Sequence, residues 1–247
     1  MNKLIFISIL ILFSNMISAQ NATEIVKKAD EKMQGESSYT EMTMTIVRPT
    51  WQRTISFKSW SKSTELALTL ITAPAKEKGQ SFLKRGNDMW NWNPTISRMI
   101  KLPASMMSQG WMGSDYSNDD LLKESSIVKD FNHTLAGSET IAGKDCYKII
   151  LMPKEDATVV WGKMIMWISK DGYLQLKIEY FDEDMELVKT EIGSEIKMMD
   201  GREIPTQFEL IPADSKGNKT IVVLNKILYN IEIKDDFFSQ QNMQKIK

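Results

Sequence analysis

The chain has 247 residues, a formal net charge of −1, and a single histidine and a single cysteine. Its basic and acidic residues are interspersed, so it lacks the clustered basic surface that nucleic-acid binding requires. Cys146 has no partner for an intramolecular disulfide, and the fold must therefore depend on its core, which a chain of this length can supply. One histidine and one cysteine do not make a usual zinc site, and we predict no metal and no cofactor.

Residues 1–19 have the organisation of a secretory signal peptide. A short positive segment ends at Lys3, a run that is apolar except for one serine follows from Leu4 to Phe13, and the stretch from Ser14 ends in the small residues Ser18 and Ala19. Ten helical residues extend about 15 Å, against roughly 30 Å for the hydrocarbon core of a bilayer. The sequence predicts a cleaved leader over 1–19 and an exported single domain over 20–247; an uncleaved anchor is the alternative.

The mature chain is predicted to open with a helix from Ala22 to Met33, because Ile25, Val26 and Ala29 fall on one face. Apolar and polar residues then alternate with the period of a β-strand that has one buried face. The first three strands place these residues in phase: Met42, Met44 and Ile46; Ile55 and Phe57; Leu66, Leu68 and Leu70.

Further alternating runs follow, with turn signals such as Asp171-Gly172 and Asp200-Gly201 between them. They lie at Cys146 to Met152, Met164 to Ser169, Tyr173 to Phe181, Leu187 to Met198, Ile204 to Ile211 and Thr220 to Ile231. An antiparallel meander of roughly ten strands accumulates twist and curls. We therefore predict a mainly β fold with a few helices (α+β). Its curved antiparallel sheet forms an incomplete barrel, closed by helices and loops around an apolar cavity.

The segment from Gly79 to Leu122 contains three of the seven tryptophans and five of the seventeen methionines, and no histidine, cysteine or glutamate. Aromatic and methionine side chains give rigid and adaptable apolar surface, respectively. Strand alternation stops from Pro94 to Leu122, where prolines and glycines exclude a continuous strand. We predict one or two helical turns and loops lying over or inside the sheet, and a short helix that begins at Asp119 and Asp120.

The sequence gives little support to catalysis. His133 lies in an alternating run with no general-base partner in view. The acidic run Asp182 to Asp184 lacks the spacing of a calcium loop and is typical of a hairpin tip. A pair formed by Asp115 with Asp119 or Asp120 leaves a hydrolase as an alternative, but nothing in the sequence fixes its geometry. We predict no catalytic residue.

Three motifs carry a resemblance that extends over the mature chain: FLKRGNDMWNWNP (Phe82 to Pro94), WMGSDYSNDDL (Trp111 to Leu121) and GKDCYKIIL (Gly143 to Leu151). In this combination and order the chain resembles the exported bacterial outer membrane lipoprotein-sorting proteins, distant relatives of the periplasmic lipoprotein carrier. The resemblance implies an incomplete barrel closed by helices around an apolar cavity, and a lipid-handling role. Together with the leader and the lack of catalytic groups, it predicts a non-catalytic periplasmic protein.

The resemblance also implies a role for one basic residue. Arg48-Pro49 looks like the basic-proline pair of the carrier, whose arginine helps to hold a lid shut and to release cargo. The residues that follow do not match the carrier, and Arg53 is the alternative cation. The loop from Met106 to Met112 belongs to the lipoprotein-sorting group rather than to the carrier.

An acyl chain taken from a bilayer exposes methylenes that cost about 0.8 kcal/mol each in water, so a carrier needs an apolar cavity that can also release its cargo. For the strand positions, ordinary core is the alternative to a ligand site. The residues predicted to line or gate the cavity are Met44, Ile46, Phe57, Leu68, Leu70, Trp90, Met99, Met107, Trp111 and Met112.

The predicted function is that of a carrier in outer membrane lipoprotein sorting, which binds lipoprotein or lipid acyl chains. Its expected partners are an inner-membrane transporter and an outer-membrane acceptor. Two other binding roles are alternatives: a periplasmic sensor or regulator of lipids or lipoproteins, and an accessory to an inner-membrane exporter.

Overall fold

The computed structural model describes residues 22–86, 88–118, 120, 127–157 and 159–247. The predicted leader over 1–19, and most of the helix predicted to begin at Asp119, lie outside these residues. Within the described ranges, no helix has both the length and the apolar character needed to cross a bilayer.

The strands of the described residues form one antiparallel sheet in the order β6-β5-β4-β3-β2-β1-β13-β12-β11-β10-β9-β8-β7. The ends of this order, β6 and β7, do not pair, so the sheet is an open half-barrel, and the predicted fold class is confirmed. The strands are β1 Ser37–Arg48, β2 Trp51–Lys62, β3 Leu66–Ala73, β4 Ser81–Arg85, β5 Asp88–Asn93, β6 Arg98–Lys101, β7 Phe131–Ile141, β8 Lys144–Pro153, β9 Lys163–Ser169, β10 Gln175–Phe181, β11 Leu187–Met199, β12 Arg202–Pro212 and β13 Lys219–Tyr229.

Alternation and turn chemistry account for most of these strands. On the inner face Met44 of β1 lies opposite Ile55 of β2, and both are fully buried. Asp200 and Gly201, between β11 and β12, have φ angles of 45° and 78°, which the predicted tight turn requires. Consecutive strands therefore pair with each other, except for β6 and β7 at the two ends of the sheet, and β1 also pairs with β13.

Two elements among the described residues cover the inner face of the sheet. Helix α1 (residues 22–34) packs the face carrying Ile25 and Val26 onto β7 to β10. The loop over residues 102–118, which we name the lid loop, packs Trp111 onto residues of β1 to β5, β12 and β13. Each element buries one half of the curved sheet, and the space between them is the cavity described below.

The outer face is covered by the C-terminal segment over residues 230–247, which includes helix α2 (Gln240–Met243). Its Phe238 and Met243 are almost fully buried against Leu68 and Leu83. The hydroxyl of Ser81 donates to the carbonyl oxygen of Met243 at 2.6 Å and holds the segment in place. Along β2 to β5 the half-barrel therefore has covering elements packed on both faces.

The prediction for Pro94 to Leu122 is partly wrong. The expected helical turns are present as 3-10 turns at Ala104–Met106 and Trp111–Gly113. The segment also contains β6, whose Met99 pairs with Trp92 of β5. This edge strand has only four residues, which is too short for an alternating pattern to be recognised in the sequence. Backbone hydrogen bonds to its one neighbour hold it in the sheet.

His133 joins β7 to α1. Its ring is buried; Nε2 lies 2.7 Å from the carbonyl oxygen of Ile127, and Nδ1 lies 3.1 Å from the hydroxyl of Thr23. Because a carbonyl only accepts, Nε2 carries the proton of the neutral ring and Nδ1 accepts from Thr23. Burial lowers the pKa of His133 below its usual value.

The lowered pKa predicts a pH dependence of stability. The unfolded chain takes up a proton near pH 6.5, above the pKa of the folded chain, so stability is lost as the pH falls from about 7 and levels off below the folded pKa. Urea denaturation of wild type and His133→Gln from pH 7.5 to 5 measures this. The difference in unfolding free energy between them should shrink as the pH falls, and a constant difference would contradict the assignment.

Candidate functional site

A cavity of about 390 Å³ lies on the inner face between α1, the lid loop and the sheet. Towards the lid loop, at what we name its apolar end, the lining combines Met42, Phe57 and Trp111 with the carboxyl groups of Asp120 and Glu191. Towards the C-terminal end of α1 they carry serine and threonine hydroxyls from β1, β2 and β3. Its size is within the range of roughly 300–1,000 Å³ of small-molecule sites.

Six of the ten residues predicted for the cavity lie in or around its apolar end. Phe57 and Trp111 line it directly. Met44 and Ile46 belong to the buried core that surrounds Trp111, and Met107 and Met112 pack against the same core. The structure therefore groups the other five around Trp111.

The other four lie on the outer face rather than in the cavity. Leu68, Trp90 and Met99 pack beneath the C-terminal segment. Leu70 is buried and, two residues from Leu68 on β3, shares its face. Alternation shows which residues of a strand share a face, but it does not show which face points into the cavity. Because both faces of β3 to β5 are covered, apolar residues occur on each of them.

The lid loop reverses direction at Met112 and Gly113, whose φ angles are 52° and 78°. A hydrogen bond joins the two sides of this reversal: the backbone amide of Trp111 donates to the carbonyl oxygen of Tyr116 at 2.7 Å. Trp111 is 2% exposed and lies between Phe57 and Phe82, with ring centroids 5.4 and 5.3 Å away. The loop thus inserts one large aromatic side chain into the mouth of the half-barrel.

Arg48 fastens the lid loop to the end of β1. Its two terminal nitrogens each lie 3.0 Å from an oxygen of Asp115, and one also donates to the carbonyl oxygen of Gly113 at 3.2 Å. The hydroxyl of Thr220 donates to the same carboxylate at 2.7 Å. The side chains of Arg48 and Asp115 are only 15% and 10% exposed, so this bidentate pair is largely removed from solvent.

Arg53 makes a second contact with the loop. Its guanidinium donates to the carbonyl oxygen of Met112 and forms an ion pair with Glu77 at 3.5 Å. Both arginines predicted as lid residues therefore bind the loop itself, from neighbouring strands.

A third attachment lies across the cavity. The hydroxyl of Tyr116 donates to Oε2 of Glu191 on β11 at 2.6 Å, and Lys189 forms an ion pair with Asp120. Burial raises the pKa of Glu191, although the hydrogen bond from Tyr116 and the charge of Lys189 oppose it. This group was not among the residues predicted from the sequence, where its signal is a pair of charged residues at alternate positions of a buried strand.

We predict that Tyr116→Phe lowers the free energy of unfolding by about 1–3 kcal/mol at pH 7, because it leaves a buried carboxyl without its donor. Loss of that donor should also raise the pKa of Glu191 further. Urea denaturation provides the measurement. Tyr39→Phe is the matched control, since the Tyr39 hydroxyl donates to Glu41 at 2.8 Å on a partly exposed part of β1. Equal losses in the two variants would contradict a special role for the buried pair.

Among the described residues, no group of three or more histidine, cysteine, aspartate or glutamate side chains is placed to hold a metal ion. What the described residues build is a cavity on the inner face of a half-barrel, with a loop at its mouth that polar contacts fasten at three points. This arrangement defines the chain as a cavity-forming half-barrel protein.

Residues 63–245 match a family model described as uncharacterized protein-like, and the chain belongs to that family. No curated protein matches the chain by sequence. In structure it is similar to a DUF1329 family protein from Desulfovibrio piger, with a TM-score of 0.82 and 26% identity over 92% of this chain and 99% of that one.

Two further structures share the fold. A putative outer membrane lipoprotein-sorting protein domain from Vibrio parahaemolyticus has a TM-score of 0.79 and 19% identity over 92% of this chain and 99% of that one. A LolA superfamily protein from Nitrosomonas europaea has a TM-score of 0.77 and 24% identity over 89% of this chain and 98% of that one. The resemblance to lipoprotein-sorting proteins is thus confirmed at the level of the fold.

Proposed function

We propose that this chain is a non-catalytic periplasmic carrier that holds acyl chains of a lipid or lipoprotein in its cavity, in outer membrane lipoprotein sorting. The observation that carries the proposal is the apolar end of the cavity beneath Trp111, closed by a loop that ion pairs and hydrogen bonds attach. The fold shared with lipoprotein-sorting domains supports it.

The energetics favour an apolar cargo. Burying a methylene stabilises a complex by about 0.8 kcal/mol, so the affinity for a ligand should rise with each carbon that enters the apolar end. A cavity of about 390 Å³ is small for a lipid with several chains. Displacement of Trp111 would enlarge it, and entry of such a cargo therefore requires the lid loop to move.

In this proposal Arg48 and Arg53 control that movement. Both bind the loop through polar contacts that can be replaced by water when the loop lifts. The closed state is stable without cargo because Trp111 then fills the mouth itself. The proposal also includes cleavage of a leader over 1–19, which leaves a single domain over 20–247. An inner-membrane transporter delivers the cargo, and an outer-membrane acceptor receives it.

Competition by a series of straight-chain fatty acids against the fluorescent reporter 1-N-phenylnaphthylamine tests the proposal. We expect saturable binding at one site, with affinity rising roughly fourfold for each added methylene until the cavity is full. An affinity independent of chain length, or no binding of the reporter, would contradict an acyl-chain cavity.

A further inference from the structure

The end of the cavity away from the lid loop carries a patch of hydroxyl groups. We name it the hydroxyl patch, and it consists of Ser38, Thr40, Ser59, Ser61 and Thr69. On neighbouring strands Ser38 lies opposite Ser61, Thr40 opposite Ser59, and Ser59 opposite Thr69. These positions continue the inward phase of Met42 and Phe57, so five hydroxyls occupy sites where a purely apolar cavity would have aliphatic side chains.

Most of these hydroxyls are paired with each other. Ser38 and Ser61 lie 2.8 Å apart, and Ser59 and Thr69 lie 3.0 Å apart. The hydroxyl of Thr40 has no hydrogen-bond partner among the described residues, although Thr40 is only 9% exposed. A buried hydroxyl without a partner costs roughly 1–3 kcal/mol. Thr40 therefore lines the cavity with a hydroxyl whose hydrogen-bonding capacity the described residues leave unused.

The other end of the cavity has a similar group. The indole nitrogen of Trp111 is buried and has no partner among the described residues. The charged groups in the lining near the hydroxyl patch are already engaged: Asp30 accepts from Gln34 at 3.1 Å, and Lys84 donates to the carbonyl oxygen of Thr64. What the patch offers to a ligand is thus neutral donors and acceptors.

We infer that the cavity selects a single-chain amphiphile whose uncharged polar group, such as a hydroxyl, ester or amide, hydrogen-bonds to the hydroxyl patch at Thr40. The chain of the ligand lies between Phe57, Phe208 and Trp111, under the lid loop. The inference rests on the proposed function, and it narrows the cargo from acyl chains in general to amphiphiles that bring their polar group inside.

Two ligands of equal length test the inference by displacement of 1-N-phenylnaphthylamine: 1-decanol, which has a hydroxyl, and 1-chlorodecane, which does not. Wild type should bind 1-decanol more tightly. Thr40→Val, which keeps the shape of the side chain, should weaken 1-decanol about tenfold and leave 1-chlorodecane within twofold. The ligand-free variant should unfold at the same temperature as wild type or higher, because it removes an unpaired buried hydroxyl.

The matched control is Thr45→Val, which removes a hydroxyl from the same strand where it lies 3.2 Å from Thr54 on an exposed surface. It should change neither affinity. Equal binding of both ligands to wild type, with the reporter still bound, would overturn the inference and leave the proposed function standing. Failure of the reporter and both ligands to bind would overturn the proposed function and the inference with it.

Discussion

Arg48→Ala is expected to lower the free energy of unfolding by about 3–5 kcal/mol and to release the lid loop. The substitution leaves the carboxylate of Asp115 largely buried without its bidentate partner. Urea denaturation measures the global effect. The backbone amide of Trp111 donates a hydrogen bond to the carbonyl oxygen of Tyr116, so its rate of hydrogen exchange measures the release of the loop.

Two variants show whether the effect comes from the buried pair. Arg48→Ala combined with Asp115→Ala removes both charges and should recover much of the lost stability. Lys101→Ala breaks a surface ion pair of 2.7 Å with Asp88 and should cost at most about 1 kcal/mol. If Arg48→Ala costs no more than Lys101→Ala and the Trp111 amide stays protected, Arg48 does not fasten the loop.

Trp111→Ala is expected to cost about 3–5 kcal/mol of stability, because it removes a fully buried aromatic side chain and leaves a cavity. Contacts with Phe57 and Phe82 are lost together. The enlarged space should accept longer acyl chains, so that the rise in fatty-acid affinity with chain length extends to more carbons than in wild type. Urea denaturation and reporter displacement provide the two measurements.

Trp51→Ala is the control, since Trp51 is 51% exposed at the start of β2. It should change stability by about 0.5 kcal/mol or less. A loss in Trp111→Ala as small as in Trp51→Ala would show that the lid loop does not pack its tryptophan into the half-barrel.

Alternation in the sequence predicts the strands well but leaves the choice of face open. Met44 and Leu68 belong to equally regular patterns, yet Met44 faces the interior and Leu68 faces the C-terminal segment. In β11 the buried phase carries Lys189 and Glu191, while Ile192 of the other phase is exposed. A rule that assigns apolar residues to the interior fails there, because Tyr116 and Asp120 of distant sequence supply the polar partners.

The candidate site was predictable in part for the same reason. Trp111 stands out by composition, and the resemblance pointed to Arg48. The partner of that arginine, Asp115, lies 67 residues away, and no local pattern links the two. The hydroxyl patch does have a local signal in the sequence: Ser38 and Thr40 are polar, although they share a face of β1 with the apolar Met42 and Met44. Its meaning depends on the cavity, which forms only when the sheet curves.

Native mass spectrometry of the protein purified from the exported fraction of its own cells tests the carrier function most directly. We predict a population that retains one acyl-bearing amphiphile per chain, which gentle activation releases and which lipid analysis identifies. If the protein is recovered only at the mass of the bare chain, and organic extraction of the purified sample yields no acyl compound, the account of this chain as an acyl-chain carrier is contradicted.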